Sequence, residues 1–233
     1  MAIYVSYTYN PQSISDKTWE FIYGCAMHDA ILQQSFTGDK EWVNKVEAPK
    51  KILREYIDKV LGGEFVSNDK KTKEKHDELF LNTANEICKE INSSPLKTAA
   101  SKKSKTKIGI FSFGNAQKLI NMTVKHVYTF TYGTPSLREN FRHCHCPMDS
   151  IMLSNVYRLY EQEYDRKQKH SVLTTNFNDA WGNEGWDEAT KTQPTLTSFP
   201  DRYKKFQDAI LAFIEKNDGD IFPIEFDFEV WKA

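Results

Sequence analysis

The chain has 233 residues, of which 39% are hydrophobic and 13% aromatic, including 5 Trp, 11 Tyr and 15 Phe. That is enough apolar material for a sizeable core, and it excludes disorder of the chain as a whole. A formal charge of −1 excludes a uniformly basic protein, no run approaches the ~20 apolar residues of a membrane-spanning helix, and 4 cysteines are too few for a disulfide framework.

Taken in chain order, Asp16 to Gln34 places Trp19, Ile22, Tyr23, Ala26, Ala30 and Ile31 at helical spacing, with Ser15 or Asp16 as the N-cap. A break at Thr37-Gly38 precedes a second helical region, Glu41 to Val60, interrupted or kinked near Pro49 and closed by Gly62-Gly63. Lys71 to Ile91 repeats the pattern, and Ser93-Ser94-Pro95 stops it. A mobile loop is expected next. Phe111 to Tyr132 reads as a central buried helix, because few of its positions are polar. Gly133, Thr134 and Pro135 end it, and Met148 to Tyr164 resumes helical spacing. Asn176 to Pro200, rich in Gly, Thr, Asn and Pro, is expected to be mainly loop, and Tyr203 to Ile214 a last amphipathic helix. Strand-like alternation is confined to Ile3 to Tyr7 and Ile221 to Phe228, so the expected class is all-α, or mainly α. No repeat of solenoid length is visible. The start, MAIYVSYTYN, lacks the basic and apolar regions of a signal peptide, and a cytoplasmic protein with reduced thiols is expected.

Charge is unevenly distributed. From Ile91 to Arg138 there is no Asp or Glu, while Lys97, Lys102, Lys103, Lys105, Lys107, Lys118, Lys125 and Arg138 are all basic. The rest of the chain then carries 23 basic against 32 acidic residues, or −9. Such a stretch can form a positive face for a phosphate backbone, or a solvated lysine loop.

Phosphate-binding loops, dinucleotide fingerprints and nucleophile elbows are absent from the sequence, which removes the main support for those enzyme classes. His143-Cys144-His145-Cys146 offers four soft ligands, but no second CxxC or HxxxH pair accompanies it, so no metal is expected there. Lys118 and Lys125, seven residues apart, share one face of the apolar central helix, and Asp149 follows 31 residues after Lys118. A shielded amine becomes a nucleophile when a carboxylate takes its proton. Alternatively, both lysines snorkel to solvent from an ordinary core helix.

The order Lys118, Lys125 and Cys146-Pro147-Met148-Asp149 resembles the archaeal-type 8-oxoguanine DNA glycosylases (AGOG) of the helix-hairpin-helix superfamily. In that family a catalytic lysine opens a Lys-x-x-x-x-x-x-Lys helix and an aspartate follows in an Ile-Pro-x-Asp turn. Asp29-Ala30-Ile31-Leu32-Gln33-Gln34-Ser35-Phe36-Thr37-Gly38 is similar to the family's Asn-Ala-Leu-Val-x-x-Gln-Leu-Ser-Gly segment, and Asp227 with Trp231 to its Asp-x-x-x-Trp. The base-reading glutamine falls on Ser35 without a gap and on Gln34 with a one-residue shift. The hairpin Ile108 to Gly114 departs from the usual Leu-Pro-Gly-Val-Gly.

The resemblance implies a single globular unit, residues 1–233, of two helical lobes about a central cleft, 1–95 with 165–233 and 96–164. It implies a monomeric base-excision repair glycosylase and AP lyase that acts on damaged duplex DNA without metal or organic cofactor, nucleoid-associated in a prokaryote. Lys118 would be the nucleophile and Asp149 its proton-transfer partner. Gln34, Met122, Lys125, Asp227 and Trp231 would hold the oxidised purine, and Lys102, Lys103, Lys105, Lys107, Gly109 and Gly114 would meet DNA. The rival is a non-catalytic helical DNA- or protein-binding module, with Lys118 exposed and Asp149 serving only as a helix cap.

Overall fold

A computed structural model of the chain describes residues 14–31, 39–103, 109–132, 134–163, 195–217 and 219–231, and the side chains of 157, 159–163 and 231 lie outside that description. Among the described residues every regular element is helical, so the fold is all-α. The elements are α1 (Asp16–Ile31), α2 (Lys40–Val43), α3 (Glu47–Leu61), α4 (Lys70–Ser93), α5 (Pro95–Lys103), α6 (Phe113–Thr131), a short 3-10 helix (Pro135–Phe141), α7 (Ser150–Glu163), α8 (Asp201–Lys216) and α9 (Pro223–Trp231). None is long and apolar enough to cross a membrane among the described residues.

Local chemistry sets the helix starts. Ser15 caps α1 by accepting the Thr18 amide at 3.3 Å, Asp39 caps α2, and Asp69 caps α4 through the Thr72 amide at 2.9 Å. The interruption expected near Pro49 falls at 44–46, and Pro49 sits in the first turn of α3, where its missing N–H costs no helical bond. Gly63, at φ 76°, takes the left-handed turn beyond α3 that a side chain would resist.

Helix α6 is the axis of the core. Fourteen of its nineteen residues are buried, which makes it the central helix its composition predicts. It packs along α1 and against α4, while α3 lies on α4 and α9 on α8. Phe113, Ala116, Leu119, Ile120, Val124 and Val127 supply its apolar contacts, and Leu119→Ala at such a site costs about 2 to 5 kcal/mol.

Two expectations are corrected. The alternation from Ile221 to Phe228 lies mostly within α9, since Phe222, Ile224 and Phe226 are buried beside Pro223 and Asp227 and no neighbouring strand is present to pair with them among the described residues. The loop expected after Pro95 begins as helix α5, with Pro95 at its first position, where proline favours helix entry. Residues 3–7, 32–38, 104–108 and 164–194 lie outside the description, and with them Gln34, Lys105 and Lys107, the tail of the first predicted helix and most of the Asn176 to Pro200 loop.

Candidate active site

Helix α6 carries an internal polar stripe. Asn115, Gln117, Lys118, Asn121 and Thr123 are all buried, and each requires a partner to offset lost hydration. Asn115 closes a capping box with Ser112 and donates to the Ala30 carbonyl at 2.8 Å, tying the start of α6 to the end of α1. Thr123 donates back to the Leu119 carbonyl.

Gln117, Asn121 and Gln207 grip the extended segment that follows the 3-10 helix. Gln117 donates to the Met148 carbonyl at 2.8 Å and accepts the Met148 amide at 3.2 Å. Gln207 of α8 does the same for Cys146, accepting its amide at 3.1 Å and donating to its carbonyl at 2.7 Å. Asn121 adds bonds to the Cys146 carbonyl and the Tyr203 hydroxyl. Side-chain amides thus satisfy a buried backbone as a neighbouring strand would.

The segment delivers Asp149 to the start of α7. Its Oδ1 accepts the Met152 amide at 2.8 Å as an N-cap, and its Oδ2 accepts the Lys118 ammonium. Lys118 is 4% exposed and Asp149 8%, so this ion pair is screened little by solvent. The helix cap of the rival reading and the lysine partner of the enzyme reading are the same carboxylate.

Lys125, two turns farther along α6, forms a second pair with Asp227 of α9, and its ammonium lies 5.0 Å from the centre of the Phe228 ring. Burial pushes the Asp227 carboxyl above its ordinary range against the pull of Lys125; Asp149 adds to the rise and Lys118 opposes it. Cys146 senses all four charges, its thiol pushed well up by burial and then by Asp227 and Asp149. The two pairs therefore share one electrostatic neighbourhood.

Four predicted site residues are thus brought together in two pairs. Met122, one turn after Lys118, is half-buried against the core. Trp231 ends α9, and its side chain lies outside the description. Lys102 and Lys103 are exposed at the end of α5, and Gly109 is half-buried.

Gly114, expected to meet DNA, lies inside the protein. It is buried in the first turn of α6, whose entry is capped by Ser112 and pinned to α1 by Asn115. The basic stretch is divided between paired and exposed cations. Lys118, Lys125 and Arg138 are held by carboxylates from elsewhere in the chain, Arg138 by a two-pronged pair with Glu225 at 2.7 Å per bond, and Lys97 is half-buried on Asn92. Three of the eight cations in that stretch are thus paired with carboxylates across elements.

The four side chains from His143 to Cys146 serve separate partners. His143 binds the Ser67 carbonyl, Cys144 is buried with its thiol pushed up, and His145 bridges Tyr203 and Asp77. His76, Asp77 and His145 bring three metal-ligating atoms within 4.8 Å of one another.

Sequence reasoning missed Gln117, Asn121 and Gln207. The available signal was the polar stripe itself, since Gln117 and Asn121 stand four apart beside Lys118 on an otherwise apolar helix. No protein-family model matches the chain, and no curated protein or solved structure matches it either.

Proposed function

We propose that this chain is a DNA base-excision repair glycosylase with AP lyase activity, removing an oxidised purine of the 8-oxoguanine kind through a lysine Schiff base. The observation that carries the reading is the Lys118–Asp149 pair: a primary amine and a carboxylate in contact, both buried, positioned by a hydrogen-bonded segment rather than by surface chance. The second pair, Lys125 of the same helix with Asp227 of α9, supports it by supplying a second donor–acceptor couple for the edge of a flipped base.

In this reading Asp149 takes a proton from the Lys118 ammonium. The freed amine attacks the sugar anomeric carbon, a C–N bond forms, and the glycosidic bond breaks with its electron pair leaving on the base, which takes up a proton. Asp149 supplies that proton and is again a carboxylate; cleavage of the ring C–O bond, with one proton of the attached nitrogen passing to the ring oxygen, then gives the protonated imine, whose charge Asp149 balances. Loss of a proton from the adjacent sugar carbon expels the 3′ phosphate and cuts the strand.

Met122 and Trp231 are candidates for the walls of the base site. Lys102 and Lys103 are the exposed cations of the acid-free stretch among the described residues, and in this reading they meet the phosphate backbone. The two lobes would flank the lysine pair, and a monomer in the cytoplasm or nucleoid suffices for the chemistry.

The test is base release from a duplex carrying one 8-oxoguanine, compared with an undamaged duplex. The wild-type protein should release the base and nick the strand, and Lys118→Gln should bind the duplex without releasing it. Base release retained by Lys118→Gln contradicts the proposal.

A further inference from the structure

His76 and Asp77 are neighbours on α4, and His145 belongs to the segment that leads to Asp149. Their donor atoms converge. His145 Nε2 lies 2.9 Å and His76 Nδ1 3.7 Å from the same Asp77 oxygen, Oδ1, and all three lie within 4.8 Å of one another. Donors sharing one ion at metal–ligand distances near 2.1 Å stand about 3.0 to 3.5 Å apart at octahedral or tetrahedral angles, which the two short separations bracket.

We propose that His76 Nδ1, one Asp77 oxygen and His145 Nε2 hold a single divalent transition-metal ion of the zinc class. Two imidazoles and a carboxylate suit such an ion better than magnesium or calcium, which prefer oxygen alone.

Three observations carry the site beyond mere proximity. His76 is fully buried, yet among the described residues its Nδ1 finds no hydrogen-bond partner, while its other nitrogen is satisfied. An orphaned ring nitrogen aimed at a carboxylate and a second imidazole is what a metal ligand looks like without its ion.

The outer nitrogens are both fixed by tyrosines: His76 Nε2 lies 2.9 Å from the Tyr56 hydroxyl, and His145 Nδ1 3.0 Å from the Tyr203 hydroxyl. In the tautomer that donates each outer N–H to a phenolic oxygen, both inner nitrogens present lone pairs, the arrangement that orients histidine ligands on metals.

Access is one-sided. The Asp77 side chain is 23% exposed, leaving a route for the ion and for a fourth, water ligand. Lys73 occupies the other Asp77 oxygen at 2.8 Å, so the carboxylate would bind through Oδ1 alone. The ion would staple α4 to the segment that carries Asp149, a tether independent of whether the chain acts on DNA.

The test uses the full-length chain, stripped with a chelator and titrated with Co²⁺, read by visible d–d absorption, with Zn²⁺ competition and thermal unfolding as second readouts. Saturable binding at one ion per chain, displacement by Zn²⁺ and a rise in Tm of several degrees are expected. His145→Gln and Asp77→Asn should each lower the affinity at least tenfold, with circular dichroism reporting the fold, while His143→Gln keeps wild-type binding. A spectrum no different from aqueous Co²⁺, or equal binding by wild type and both ligand variants, overturns the site.

Discussion

Gln117 pairs with the backbone of Met148 through both ends of its amide, donating to the carbonyl at 2.8 Å and accepting the N–H at 3.2 Å. The next residue in the chain is Asp149, and the next on the helix is Lys118. One side chain therefore fixes the register between the two groups to which the proposal assigns the chemistry.

Gln117→Leu leaves a buried amide and carbonyl of Met148 without partners, at about 1 to 3 kcal/mol each. We expect a loss of about 2 to 4 kcal/mol in urea unfolding, together with a fall in single-turnover base release larger than the change in duplex affinity. Unchanged stability would mean that Met148 is held by other groups.

The buried pair predicts non-additivity. Asp149→Asn preserves the cap of α7 but strands the Lys118 ammonium, at a cost of about 3 to 5 kcal/mol. Adding Lys118→Met should recover most of that loss, because neither member is then an unpaired buried charge. Simple addition of the two single effects in a denaturation cycle would rule out the coupling.

Glu225 predicts a pH dependence. Burial pushes its carboxyl up, but hydrogen bonds from Arg138, Tyr128 and the Phe222 amide outweigh burial and hold it below its ordinary value. A depressed folded-state value stabilises the protein fully above the unfolded glutamate value of about 4.3, and that contribution is lost as pH falls through the folded value. The stability gap between wild type and Glu225→Gln should therefore be widest near neutrality and narrow below about pH 4, the range set by that unfolded value. A gap that stays constant with pH would show that Glu225 does not titrate with folding.

Under the proposed function, internal pairing also predicts which cations would meet DNA. Replacing exposed Lys102 and Lys103 together by alanine should reduce the slope of log affinity against log salt by about 2, whereas Arg138→Ala, already satisfied by Glu225, should leave it unchanged. Fluorescence anisotropy on an undamaged duplex over a salt series reads both. Equal slopes for wild type and the double variant would remove α5 from the interface.

The helices were legible because their apolar residues recur at 3.6-residue spacing, and α6 stood out because it carries no acid and only two lysines among its nineteen residues. The central pair was legible only as an order of residues: Lys118 and Asp149 are 31 apart, and no local rule brings them together. Chain charge misled for the same reason. A window from Ile91 to Arg138 sees eight cations and no acid, but the acids that satisfy three of them, Asp149, Asp227 and Glu225, lie beyond its edge. The alternation over Ile221 to Phe228 could not declare a helix, since short apolar runs fit either period. His145 was visible as a potential ligand, but its neighbours in space, His76 and Asp77, sit on α4 nearly seventy residues earlier.

In the proposed reaction the Lys118 amine forms a covalent imine with a DNA sugar, and borohydride tests for it by reducing that imine to a stable amine. The purified chain should be trapped on a duplex carrying one 8-oxoguanine, not on the undamaged duplex, and Lys118→Gln should give no adduct. No trapped complex on either the lesion or an abasic site, or an adduct that persists in Lys118→Gln, would contradict the account.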